Sequence, residues 1–60
     1  MKWSELEKMV RGSGCQIVRE GGNHSIWYSP ITGKFFPISR HDKQEIATGT
    51  LKSIKEASGL

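Results

Sequence analysis

Two histidines, His24 and His41, are the side chains of this sequence best suited to moving a proton, because imidazole titrates near neutrality without outside help. His24 follows the run Gly21-Gly22-Asn23 and begins the short alternation His24-Ser25-Ile26-Trp27-Tyr28. In an extended strand, alternation places His24, Ile26 and Tyr28 on one face and Ser25, Trp27 and Ser29 on the other. Trp27 is the larger apolar group and claims the buried side, which leaves His24 on an open face. An exposed histidine beside glycines in a basic chain is placed to take the proton from a ribose 2′-hydroxyl, which then becomes a nucleophile toward the adjacent phosphodiester. A nearby Lys or Arg would stabilise the charge that develops on the phosphate. By residue type alone, a hairpin histidine is more often a simple surface residue than a base. His41, beside Arg40 and near Lys43, reads equally as a second acid or base, a phosphate contact or a solvated loop residue.

Other chemistries find less support. Cys15, His24, His41 and Asp42 are potential metal ligands, but they form none of the spaced pairs that zinc sites show, so neither a metal nor another cofactor is expected. Cys15 reads as a small apolar residue, with no charged neighbour in sequence to lower its pKa. Neither Gly21-Gly22 nor Gly12-x-Gly14 continues as a phosphate-binding loop does. Tyr28, on the expected open face, could stack on a base, although a lone aromatic is weak support.

The chain has 60 residues, with nine Lys/Arg against six Asp/Glu and a formal net charge of +3. That length allows one small domain, expected over residues 1–60, which buries only about 60% of the surface of its unfolded chain. The charge favours a polyanionic partner without requiring one. A single cysteine excludes an internal disulfide framework. The apolar runs are too short to cross a membrane, and the start turns amphipathic at once, unlike a signal peptide. A free thiol and no export signal lead to an expected cytoplasmic location.

The elements that must position these residues follow from periodicity. Ser4 and Glu7 have the spacing of a capping box, and Trp3, Leu6, Met9 and Val10 recur at helical spacing, which predicts a helix from about Glu5 to Gly12, ended by Gly12 and Gly14. Strands are predicted over Cys15–Glu20, His24–Tyr28 and Lys34–Ile38. The first turn, Gly21-Gly22-Asn23, consists of residues that tolerate positive φ, and Ser29-Pro30-Ile31-Thr32-Gly33 forms the second. Pro37 cannot donate to a ladder, so the third strand should lie at an edge. After an irregular stretch from Ser39 to Ala47, Thr48 or Thr50 caps a closing helix with Leu51, Ile54 and Ala57 on its apolar face, stopped at Gly59. The expected fold is α+β, in the order α-β-β-β-α, with a three-stranded antiparallel sheet carrying both helices on one face.

These residues resemble the HicA toxins of HicA–HicB toxin–antitoxin systems. The likeness runs end to end: Lys2-x-Ser4-Glu5-Leu6, the strand Ile17-Val18-Arg19, Gly22-Asn23-His24, the Arg40-His41 pair, and Gly49-Thr50-Leu51-Lys52-Ser53-Ile54 through Gly59-Leu60. The resemblance implies a fold like the double-stranded-RNA-binding domain. It also implies an endoribonuclease that cleaves mRNA without the ribosome and is held inactive by a HicB-type antitoxin. It puts the catalytic histidine at His24, which reverses the balance set by residue type. Lys34, Arg40, His41, Lys52, Lys55 and Tyr28 are then candidates for RNA contact. The family often has serine where this chain has Gly22, and proline where it has Ser39. The alternative is a non-catalytic module that binds RNA duplexes, but such modules carry a dense lysine cluster at the start of the second helix, where this chain has Thr48-Gly49-Thr50-Leu51-Lys52 with one lysine.

Overall fold

The computed structural model describes residues 1–60. The chain forms α1 (Trp3–Gly12), β1 (Gln16–Glu20), β2 (His24–Tyr28), β3 (Phe35–Ser39) and α2 (Thr48–Ser58). The three strands form one antiparallel sheet in the order β1-β2-β3, so the expected α+β meander and its edge position for Pro37 hold.

The alternation along β2 also holds. Ser25, Trp27 and Ser29 are buried, while His24 is exposed and Ile26 and Tyr28 are half-buried. Trp27 is fully buried, and the core around it contains Leu6 and Val10 from α1, Phe36 and Ile38 from β3, Ile54 from α2, and Cys15 and Ile46 from the connections. Both helices therefore cover the Trp27 face and leave the His24 face open. The Trp27 indole N–H, which would be costly to bury alone, donates to Ser25 Oγ at 3.2 Å, and that hydroxyl donates to the Ile38 carbonyl at 3.4 Å. Arg11 lies over the ring, 4.9 Å from its centroid.

Several local expectations are corrected. Helix α1 begins at Trp3, two residues early, and Ser4 is inside it with no capping hydrogen bond from a side chain. Its first amides are satisfied by main chain: Trp3 N–H donates to the Gln44 carbonyl at 3.2 Å and Ser4 N–H to the Asp42 carbonyl at 3.1 Å. Neither threonine caps α2, whose N-cap is Ala47. Met9, which shares the helical spacing of Leu6 and Val10, is 40% exposed where those two are buried. At the end of α1 the left-handed residue is Gly14 (φ 95°) rather than Gly12. Cys15 precedes β1, and β3 starts and ends one residue later than expected.

The turn between β2 and β3 closes the end of α2. Ser29 Oγ, fully buried, donates to the Ser58 carbonyl at 2.7 Å and accepts from the amides of Ile31 (3.2 Å) and Thr32 (3.4 Å). Thr32 Oγ1 donates to the Ala57 carbonyl. These bonds satisfy carbonyls that the last turn of a helix leaves free. Gly59 adopts φ 84°, and a Cβ there would stand 2.8 Å from Ile31 Cγ2, so both handedness and space require glycine.

Candidate active site on the open face

His24 stands at the first position of β2, where the β1–β2 turn delivers it to the open face. The turn is closed by Gly21 N–H donating to the His24 carbonyl at 2.8 Å. None of Gly21, Gly22 and Asn23 has positive φ, contrary to the expectation from their types. What favours glycine at 21 is space: a Cβ there would lie 3.0 Å from the His24 carbonyl oxygen, so a larger residue asks that carbonyl to give by a few tenths of an ångström. At Gly22 a Cβ would meet nothing within 4 Å, so a serine would fit and the departure from the family pattern leaves the turn unchanged.

Arg40 braces this turn from the end of β3. Its backbone N–H donates to the Asn23 carbonyl at 3.0 Å and its guanidinium donates to the Gly21 carbonyl at 3.0 Å. The same guanidinium lies 4.0 Å from the Glu20 carboxylate. His24 pairs across the ladder with Ser39, and Ser39 Oγ accepts the His41 N–H at 3.1 Å. His41 therefore lies two residues beyond the strand partner of His24, on a loop whose carbonyls hold the start of α1.

The open face carries a hollow of about 400 Å³ lined by Arg19, Gly21, Gly22, Asn23, His24 and Ile26. Arg19 was not among the candidates that residue type and spacing suggest. Straight alternation from Ile17 would turn it to the helix side, but β1 carries a bulge. Ile17 pairs with Trp27 and Arg19 with Ile26, leaving Val18 as the extra residue. A larger groove of about 570 Å³ between β3 and α2 is lined by Phe35, Phe36, Pro37, Ile54 and small residues of α2, with no titratable side chain. Of these two, the smaller hollow is the one that holds titratable side chains, Arg19 and His24.

The other candidates are spread apart. Tyr28 is on the His24 face, four residues along β2, or about 13 Å at a strand's rise. It is not a lone aromatic: Phe35, its ladder partner, stands 5.1 Å away between centroids at 54°, and is 62% exposed. Lys34 precedes β3 beyond that aromatic pair, at the end of the sheet away from His24. Lys52 and Lys55 are on α2, beside Thr48, Leu51 and Glu56. None of the three lysines lines the His24 hollow. No group of three His, Cys, Asp or Glu side chains is arranged to hold a metal ion.

The family model described as the HicA toxin of bacterial toxin–antitoxin systems matches residues 3–60. The chain belongs to the HicA toxin family. No curated protein and no solved structure matches it. The match takes in every element of this HicA-family fold, including the turn before His24 and the Arg40-His41 pair. No helix is long and apolar enough to cross a membrane.

Proposed function

We propose that the chain is an endoribonuclease toxin that cleaves single-stranded mRNA, independently of the ribosome, with His24 as the catalytic base. The observation that supports this reading is the exposed imidazole at the mouth of a hollow on the open face, beside an arginine. In the proposed step, neutral His24 takes the proton of a ribose 2′-hydroxyl. The oxygen attacks the adjacent phosphorus, the bond to the 5′-oxygen breaks, and that oxygen leaves with a proton from an acid, either His41 or water. The products are a 2′,3′-cyclic phosphate and a 5′-hydroxyl, and no metal enters the balance.

The Tyr28–Phe35 pair would receive a base of the same strand, with the reacting phosphate at His24. Arg40 serves the site by holding its turn, and any RNA contact by Lys34, Lys52 or Lys55 would be to segments away from the reacting bond. A HicB-type antitoxin would silence the enzyme by covering the open face, where exposed Pro37 pairs with Ile26 of the hollow and exposed Phe35 lies farther along the sheet beside Tyr28. The protein is expected to act in the cytoplasm, where its RNA and antitoxin are made.

The test compares the parent with His24→Ala on a long single-stranded RNA in EDTA, with folding checked by circular dichroism. Cleavage by the parent, cyclic-phosphate ends and none from the folded variant would support the reading. Equal cleavage by both, loss of activity in chelator or 5′-phosphate products would overturn it.

A further inference from the structure

Three arginines occur in the chain, and the fold engages two of them. Arg11 lies over Trp27 and pairs with Glu7 at 3.5 Å. Arg40 is held by Gly21 and Glu20. Both line a charged cleft on the helix side of the β1–β2 hairpin, together with the carboxylates of Glu7, Glu20 and Asp42. Arg19 has no ion pair and no side-chain hydrogen bond, is exposed, and lines the His24 hollow.

The bulge decides which charge faces His24. Continuing the pairs Gln16–Tyr28 and Ile17–Trp27 without the extra residue would put Val18 opposite Ile26, Arg19 opposite Ser25 and Glu20 opposite His24. The observed register instead puts Arg19 opposite Ile26 and Glu20 opposite Ser25. One inserted residue thus brings a cation onto the open face and takes a carboxylate away from it, a use of bulges that recurs beside active sites. Arg19 and His24 become diagonal neighbours on one face, a relation that separates backbones by about 7–8 Å. That spacing leaves room between the two side chains for one phosphodiester.

We infer that Arg19 binds the non-bridging oxygens of the phosphate attacked at His24, its guanidinium fork countering the charge that grows there. This rests on the ribonuclease reading above. It adds a residue, and it assigns the Val18 bulge the task of delivering it.

The experiment measures cleavage of a short single-stranded oligoribonucleotide by the parent, Arg19→Gln and Arg19→Lys. Binding of the matching oligodeoxynucleotide, which lacks the attacking hydroxyl, is measured in parallel as a function of salt. Arg19→Gln is expected to lose roughly a hundredfold in kcat and to flatten the salt dependence by about 0.7 in log–log slope, the loss of one phosphate contact. Arg19→Lys should recover the slope but only part of kcat, because an ammonium lacks the fork. Parent-like cleavage and an unchanged salt slope in Arg19→Gln would overturn the inference. If the parent cleaves nothing, the ribonuclease reading fails while the salt slopes still decide whether Arg19 meets a phosphate.

Discussion

At the Tyr28–Phe35 end of the sheet, the turn from β2 to β3 is fixed by buried hydroxyls that close the last turn of α2. At the His24–Ser39 end, the turn from β1 to β2 is fixed from outside by the exposed side chain of Arg40. The first arrangement ties the turn to the core, so disturbing it disturbs the whole fold. The second leaves the turn at the surface and its hollow open to a ligand, with positioning and stability separated. A 60-residue chain with a small core has little stability to spare for a strained site, and this division keeps the reactive end apart from what holds the molecule together.

The largest change in stability is expected at the far end. Ser29→Ala leaves the Ser58 carbonyl and two turn amides without their partner, and should cost roughly 1–3 kcal/mol. For a domain of this size each of those is worth roughly 4–8 °C in Tm, readable by thermal melts, while cleavage per folded molecule stays at the parent value. At the near end the outcome should invert. Arg40→Ala should lower cleavage roughly ten- to hundredfold by loosening the turn that aims His24, and change stability by less than about 1 kcal/mol because the side chain is exposed. A Tm shift as large as that of Ser29→Ala would erase the distinction between the ends. Within the turn itself, Gly22→Ser should leave stability within about 0.5 kcal/mol and cleavage unchanged, whereas Gly21→Ala should impair cleavage by forcing the His24 carbonyl away.

The smallest effect is expected at the loop that supports α1. The Met1 ammonium lies 2.8 Å from Glu45. That hydrogen bond, then the charge of the same ammonium, and to a lesser degree Lys2, hold the Glu45 carboxyl below its ordinary value. A carboxyl with a lowered folded-state pKa stabilises the fold above its unfolded pKa, and the benefit disappears as pH falls through the folded value. Glu45→Gln should therefore melt slightly below the parent at neutral pH and level with it in acid. A gap that persists unchanged in acid would mean that the pair is not its source.

Much of this architecture was legible from local pattern. The bounds of β2, the burial of Trp27 and the exposure of His24 all follow from a two-residue alternation that a single strand carries by itself. The features that escaped depend on partners distant in sequence. Ser4 has the right spacing for a cap, but the carbonyls of Asp42 and Gln44 reach the start of α1 first, and nothing near Ser4 signals that. Arg19 was hidden for the same reason. A bulge is a property of two paired strands, and residues 16–20 alone give no sign that Val18 is the one left over. Phe35, exposed beside Tyr28, was overlooked because the run Phe35-Phe36 reads as uniformly apolar until the ladder shows which ring faces out.

The interrupted edges of the sheet have a consequence for how copies of this chain behave in a crowd. A growing stack of strands needs an unbroken row of donors and acceptors along each free margin. On one margin β1 carries the Val18 bulge, and on the other β3 carries Pro37, whose nitrogen bears no hydrogen. Two molecules brought margin to margin would meet a missing bond on either side, so fibril-like growth is denied a template at both ends even though the open face between them remains bare.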